Sequence, residues 1–263
     1  MMEIHYDRWY NSIFKRHSRR QYTSRLPAAD ILQILRSVCR EFRPFPGARV
    51  ELATESPDSI FKGALGSYGK VKDAPAYLVV IGDSRQPQHQ AQSGYTGEGI
   101  ILEATALGLS TCWVGGFFNP AATAKQVSIH SGEHILAVSP LGYSADEKSF
   151  EEKLMSGFAR SHKRSPLSVL IDGLPEYAWP VWLKEALEAA RLAPSAMNRQ
   201  PWRFTIAQHS ITVTSAGWIS DFGVSKRLDC GIAMLHLELT ALRQGIHGKW
   251  EWQAEPQVAQ FIF

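Results

Sequence analysis

Apolar and polar positions along the chain follow two rhythms, a helical one and an alternating one, and the order of the two recurs. In "HYDRWYNSIFKRH" the pairs Trp9/Tyr10 and Ile13/Phe14 are spaced i, i+4, which predicts an amphipathic helix. A membrane-surface helix is the alternative, but a short helix with this many aromatics is better satisfied by burial against the fold. "LPAADILQILRSVCREF" predicts a second helix with Pro27 near its start. "ARVELATE" and "APAYLVVIGD" read as strands, the second apolar enough to be central. The longest apolar helical pattern lies in "YTGEGIILEATALGLSTCWVGGFF". It predicts a buried helix from about Thr96 to Leu107 with Gly108 as its C-terminal cap. "ILAVSPLGY" is a further strand, followed by the basic turn "ARSHKRSPL".

The pattern then begins again. "LPEYAWPVWLKEALEAARLAPS" is a loop leading into an amphipathic helix, and "RFTIAQHSITVTSA" predicts a hairpin of two short strands. "LDCGIAMLHLELTALRQGIHGKWEW" reads as a second long apolar helix. The two long stretches share Gly-Ile near the start, Thr-Ala-Leu in the middle and a Trp at the exit. A duplicated unit with a boundary near 165–180 is expected; the alternative is coincidence between two apolar helices. The second unit is short, so the two halves are expected to share one core.

Composition narrows the class without naming a function. With 263 residues, 44% hydrophobic and 20% charged, the chain can bury a large core. A net charge of +3 does not by itself imply nucleic acid, although basic residues bunch in "FKRHSRRQYTSR". Cys39, Cys112 and Cys230 form no CxxC pair, and no metal-ligand cluster is expected. The start lacks an apolar leader, and no run of about 18 apolar residues occurs, so a cytoplasmic protein is expected.

Four stretches carry candidate chemistry. In "KRHSRRQY", Arg16, Ser18 and Arg20 offer fork-shaped charged donors and a hydroxyl suited to phosphate; the alternative is a solvated basic face. "HKRSP" adds Lys163 or Arg164 beside a serine. In "TCWVGGFF", Gly115 and Gly116 permit close approach of a flat ligand or another backbone, and Cys112 reads as a core thiol. In "AARLAPSAMNRQPWRF", Pro194 should stop a helix and leave Ser195 and Asn198 on a turn, as a ligand edge or as local backbone partners. No GxSxG, HExxH, Walker or GxGxxG pattern is present; His130 and His134 lack a Glu between them, and "GALGSYG" is not bracketed as a dinucleotide loop requires.

Together these stretches resemble the nitroreductase family of flavin enzymes. Their order resembles its fused branch, the TM nitroreductase type, because the Pro-Ser-x-x-Asn segment comes after everything else. The resemblance implies an α+β, nitroreductase-like sandwich: a central, mostly antiparallel sheet flanked by helices, with residues 1–172 and 173–263 as two similar halves of an intrachain pseudo-dimer. It implies FMN bound by Arg16, His17, Ser18, Arg20, Gly115, Gly116 and Lys163 or Arg164 of the first half, with Pro194, Ser195 and Asn198 of the second. Each motif occurs once, so one FMN per chain is expected. No side chain need act catalytically, because NAD(P)H would reduce the flavin at N5 and an electron-poor acceptor such as a nitroaromatic or a quinone would then take its place. Phe117, Phe118 or Trp202 would shape the acceptor pocket. A monomer without nucleic-acid or membrane partners is expected. Other flavin outcomes, an FMN-sequestering protein without turnover and a basic-turn module for anions or nucleic acid are the alternatives.

Overall fold

In the computed structural model, residues 6–55, 57–61, 71–144, 163–217 and 223–263 are described. The glycine-rich run at 63–69 and His162 of the late basic turn lie outside them. Helix α1 (Tyr6–Lys15) buries Trp9, Tyr10 and Ile13, while Phe14 stays 51% exposed and meets Tyr10 edge-on. Helix α2 (Ala29–Glu41) turns Leu32, Leu35, Val38 and Cys39 inward. Strands β1 (Ala48–Ala53), β2 (Ala76–Asp83), β3 (Ser110–Thr111) and β4 (Glu133–Gly142) form an antiparallel sheet in the order β1-β2-β4-β3. The uninterrupted apolar run of β2 is central and buried on both faces, as its composition predicts. Short helices α3 (Pro57–Phe61) and α5 (Pro120–Thr123) flank this sheet.

A second sheet contains β5 (Ile171–Gly173), β6 (Trp202–Ala207), β7 (Ser210–Ser215), β8 (Lys249–Trp252) and β9 (Gln257–Ile262), ordered β5-β6-β7-β9-β8. Only β5 runs parallel to its neighbour; the other pairs are antiparallel. The mostly antiparallel character therefore holds, with strands divided between two sheets. Strand β5 belongs to the second sheet, so the expected boundary between 172 and 173 falls inside a strand.

Two central helices lie between the sheets, α4 (His89–Ala106) and α7 (Lys226–Arg243), each 18 residues long. Helix α6 (Val181–Arg191) packs beside α7. The apolar pattern places the start of α4 seven residues late, near Thr96. Gln92 and Ser93 interrupt the apolar pattern and Gly94 is a poor helix former, and the packing against α7 compensates for them. Helix α7 stops at Arg243, and "GKWEW" forms β8 rather than a continuation. Both helices end in the same way. At Gly108 (φ 80°) and Gly245 (φ 73°) the chain turns left-handed, and the next amides, of Leu109 and Ile246, return to the carbonyls of Ala104 and Ala241. The register that matches these caps also matches Gly94 with Gly231 and Trp113 with Trp250. The Gly-Ile and Thr-Ala-Leu similarities are out of that register, which aligns Gly231 with Gly94 rather than with Gly99. One core cluster joins α1, α2, α4, α6, α7 and strands of both sheets. The outer face of the first sheet has a smaller cluster around Ile60, Tyr77 and Val79.

Candidate functional site

The turn after α6 is unusual in its backbone. Pro194 is buried, and Ser195 is extended with its Oγ accepting the Gln200 N–H at 3.0 Å. Met197, Asn198 and Gln200 then have φ of 53°, 54° and 46°. Such left-handed residues are costly unless their surroundings impose the conformation. Here Arg199 imposes it. Its guanidinium, 1% exposed, donates to Asp229 at 2.7 Å and to the Val224 carbonyl at 2.7 Å. Asp229, in the first turn of α7, also accepts the Ala196 N–H at 3.2 Å. A buried ion pair thus fixes the turn to α7.

The late basic turn is pinned onto this same turn. Arg164 Nη1 donates to Asn198 Oδ1 at 2.7 Å, and Asn198 Nδ2 donates to the Lys163 carbonyl at 2.8 Å. Gln200 completes the seam, with Oε1 accepting the Ser165 N–H at 2.8 Å and Nε2 donating to the Lys163 carbonyl at 3.2 Å. Lys163 is exposed while Arg164 turns inward. Burial, followed by the charges of Arg16 and Arg191, lowers the Arg164 guanidinium from its ordinary value to about 10.

The early turn approaches from α1. The Arg16 side chain is 7% exposed, and its Nη1 is buried without a hydrogen-bond partner among the described residues. Its Nε stands 3.8 Å from Glu98. Ser18 bridges to Thr111, the Arg19 N–H donates to the Thr111 carbonyl at 2.9 Å, and the Arg20 carbonyl accepts from Lys72 at 2.9 Å. His17 is exposed, at the rim of a cleft lined by Lys15, Arg16, Arg19, Ser110 and Thr111. Beyond Thr111, Val114 pairs with Val138 and leads to Gly115. A Cβ at Gly115 would come within 2.6 Å of Val224, so this glycine admits a side chain from the start of α7. Val224 therefore touches both arms, its carbonyl on Arg199 and its side chain on Gly115. Gly116 is exposed.

The structure thus brings Arg16, Arg164, Ser195 and Asn198 into one neighbourhood, with Ser18 and Gly115 along the adjoining strand. Trp202 is a correction: it is fully buried on β6 and cannot wall an acceptor pocket. Phe118 packs on the smaller core cluster, against the first sheet. Sequence reasoning missed Arg199, Gln200, Asp229, Glu98 and His236. A signal existed for Glu98 and Asp229, since each is a carboxylate in a largely buried helix and must find a partner. The cluster fits a phosphate-bearing cofactor: Arg16 Nη1 is a buried donor lacking an acceptor among the described residues, and Arg164 is held where positive charge is in excess.

A family model described as "Putative TM nitroreductase" matches residues 8–241. The chain belongs to this family. Its members are FMN-dependent NAD(P)H oxidoreductases, and FMN is the cofactor expected for this chain. A crystal structure of a "putative nitroreductase" from Thermotoga maritima is 20% identical, with a TM-score of 0.66, covering 100% of this chain and 96% of that one. The fold is therefore shared along the full length. An "FMN-dependent nitroreductase" from Clostridium difficile is 18% identical, with a TM-score of 0.44, covering 52% of this chain and 88% of its own. No curated protein matches the sequence. Among the described residues, no helix of this nitroreductase-family chain is long and apolar enough to cross a membrane.

Proposed function

We propose that this nitroreductase-family chain reduces nitroaromatics, quinones or other electron-poor small molecules with NAD(P)H, through one FMN held between halves corresponding to residues 1–172 and 173–263. The observation that carries the reading is the 2.7 Å bond between Arg164 of the first half and Asn198 of the second, beside Arg16. When bound, FMN supplies the hydride-accepting and hydride-donating chemistry. Arg16 and Arg164 would hold its phosphate, with Lys163 at the rim and Ser18, His17 and Arg20 along the same turn. Ser195 and Asn198, positioned after Pro194, would close the site from the other half. Gly116 would leave room for the ring, and Gly115 and Gly116 would present backbone N–H groups to it.

The matched caps and glycines of α4 and α7 support an internal duplication. In the same register, Trp252 occupies the position corresponding to Gly115. Trp252 packs edge-on against Phe45 at 5.0 Å, and Phe45 against Tyr95 at 5.0 Å. Phe45 lies in "REFRPFPGA", the first-half stretch that lacks Ser-x-x-Asn. Aromatic packing thus fills the second, symmetry-related position, which supports one flavin per chain. Three free, buried cysteines agree with a reducing cytoplasm.

The test is the FMN-to-chain ratio of purified protein, followed by anaerobic reduction with NADH and NADPH. A ratio near one with bleaching of the flavin is expected. A ratio near two defeats the one-site reading, and a protein that cannot be loaded with FMN defeats the enzyme reading.

A further inference from the structure

The Glu98 carboxylate is fully buried midway along α4, where side chains from three other segments converge on it. Trp113 Nε1 donates to Oε2 at 2.7 Å; His236 Nε2 lies 3.0 Å from Oε1; and Arg16 Nε lies 3.8 Å from the same oxygen. A carboxylate at this depth is tolerated only with such partners. His236 Nδ1 is 3.0 Å from the Ala189 carbonyl, which can only accept, so Nδ1 holds a hydrogen. The contact between Nε2 and Oε1 must therefore contain one further proton, on the imidazole or on the carboxyl. Either way both carboxyl oxygens are engaged, and the group cannot turn.

A fixed carboxyl beside the Nε edge of Arg16 has a consequence for the rest of that guanidinium. At 3.8 Å its oxygen meets the Nε edge without capturing the Nη fork, and Nη1 remains without an acceptor among the described residues. A guanidinium steadied by its Nε edge keeps its fork for another anion. Trp113, engaged by the other oxygen, lies two residues before Gly115. We infer that Glu98, locked by Trp113 and by His236 of the opposite half, is a positioning residue that holds Arg16 ready for the FMN phosphate. This role rests on the proposed flavin site and adds to it a part that touches no ligand.

The test is a double-mutant cycle on FMN affinity, using apoprotein titrated with FMN and followed by flavin fluorescence, for Arg16→Ala, Glu98→Gln and the double variant. Arg16→Ala is expected to weaken FMN by about tenfold or more, and Glu98→Gln by a comparable factor. The double variant should be no weaker than Arg16→Ala alone, because Glu98 acts through Arg16. Glu98→Asp, which keeps the acid but retracts it, substitutes in the same cycle if Glu98→Gln does not fold. An Arg16→Ala variant with unaltered affinity would overturn the flavin-site reading itself. If Arg16→Ala weakens FMN while the Glu98 variant leaves it unchanged, or if the two losses multiply, the positioning role is overturned and the site stands.

Discussion

Gly94 and Gly231 sit opposite each other where α4 crosses α7, and neither has room for a Cβ. One added at Gly94 would lie 1.9 Å from the Leu228 carbonyl oxygen, and one added at Gly231 would lie 1.9 Å from that of Ala91. The contact is reciprocal, each glycine meeting the residue three positions before the other. Backbone cannot yield as a flexible side chain can, so this crossing sets how closely the two helices, and the sheets packed around them, approach.

Gly231→Ala should therefore destabilise the protein by about 2 kcal/mol or more, although alanine is the better helix former. Urea unfolding of the variant measures it. A neutral or stabilising change would mean that the helices can move apart at little cost.

Arg199→Met leaves Asp229 buried with its principal partner gone, and a loss of about 3–5 kcal/mol is expected. Replacing both residues by apolar ones of similar size should recover most of that loss, as chemical denaturation of the single and double variants would reveal.

Asn198→Ala removes the acceptor for Arg164 and the donor to the Lys163 carbonyl. FMN retention is expected to fall by about tenfold while the chain stays folded. Circular dichroism and FMN titration together separate the two effects.

Burial, ahead of the charges of Arg16 and Arg191, lowers the Arg164 guanidinium from its ordinary value to about 10 in the folded chain. Above that value the unfolded chain binds more protons than the folded one, so the Arg164 contribution is unfavourable near neutrality and the penalty recedes as pH rises past about 10. Comparing wild type with Arg164→Gln in urea near neutral pH and at about pH 11 should show the stability difference moving in favour of wild type at the higher pH. No such movement would place Arg164 in a better solvated setting.

Burial raises the Cys39 thiol to about 12 and also raises that of Cys230, while Cys112 is 2% exposed. A thiol-specific reagent at about pH 8 should find no fast-reacting group in the native protein and all three after denaturation.

The pieces of the candidate site were legible in the chain for local physical reasons. Pro194 ends a helix wherever it stands, and the glycines at 108 and 115–116 mark a turn and a close approach. Arg16, Ser18, Lys163 and Arg164 suit an anion by residue type, with a solvated basic face as the alternative. Resemblance to a fused nitroreductase added the order in which these pieces meet. What the sequence misjudged was also local: polar Gln92 and Ser93 hid the first turns of α4, and an apolar run carried α7 past its glycine stop.

By itself, then, the sequence determined the succession of helices and strands, the single copy of each motif and the cationic turns, because these follow from side-chain periodicity and backbone preference. Tertiary structure decided the rest. Pairing Gly94 with Gly231 needs two helices more than a hundred residues apart to cross, and short-range pattern suggested Gly99 instead. Arg199 with Asp229, Arg164 with Asn198, and Glu98 with His236 are partnerships between distant segments. A buried charge must find a counterpart, but only the packing of the sheets and helices selects which one it finds.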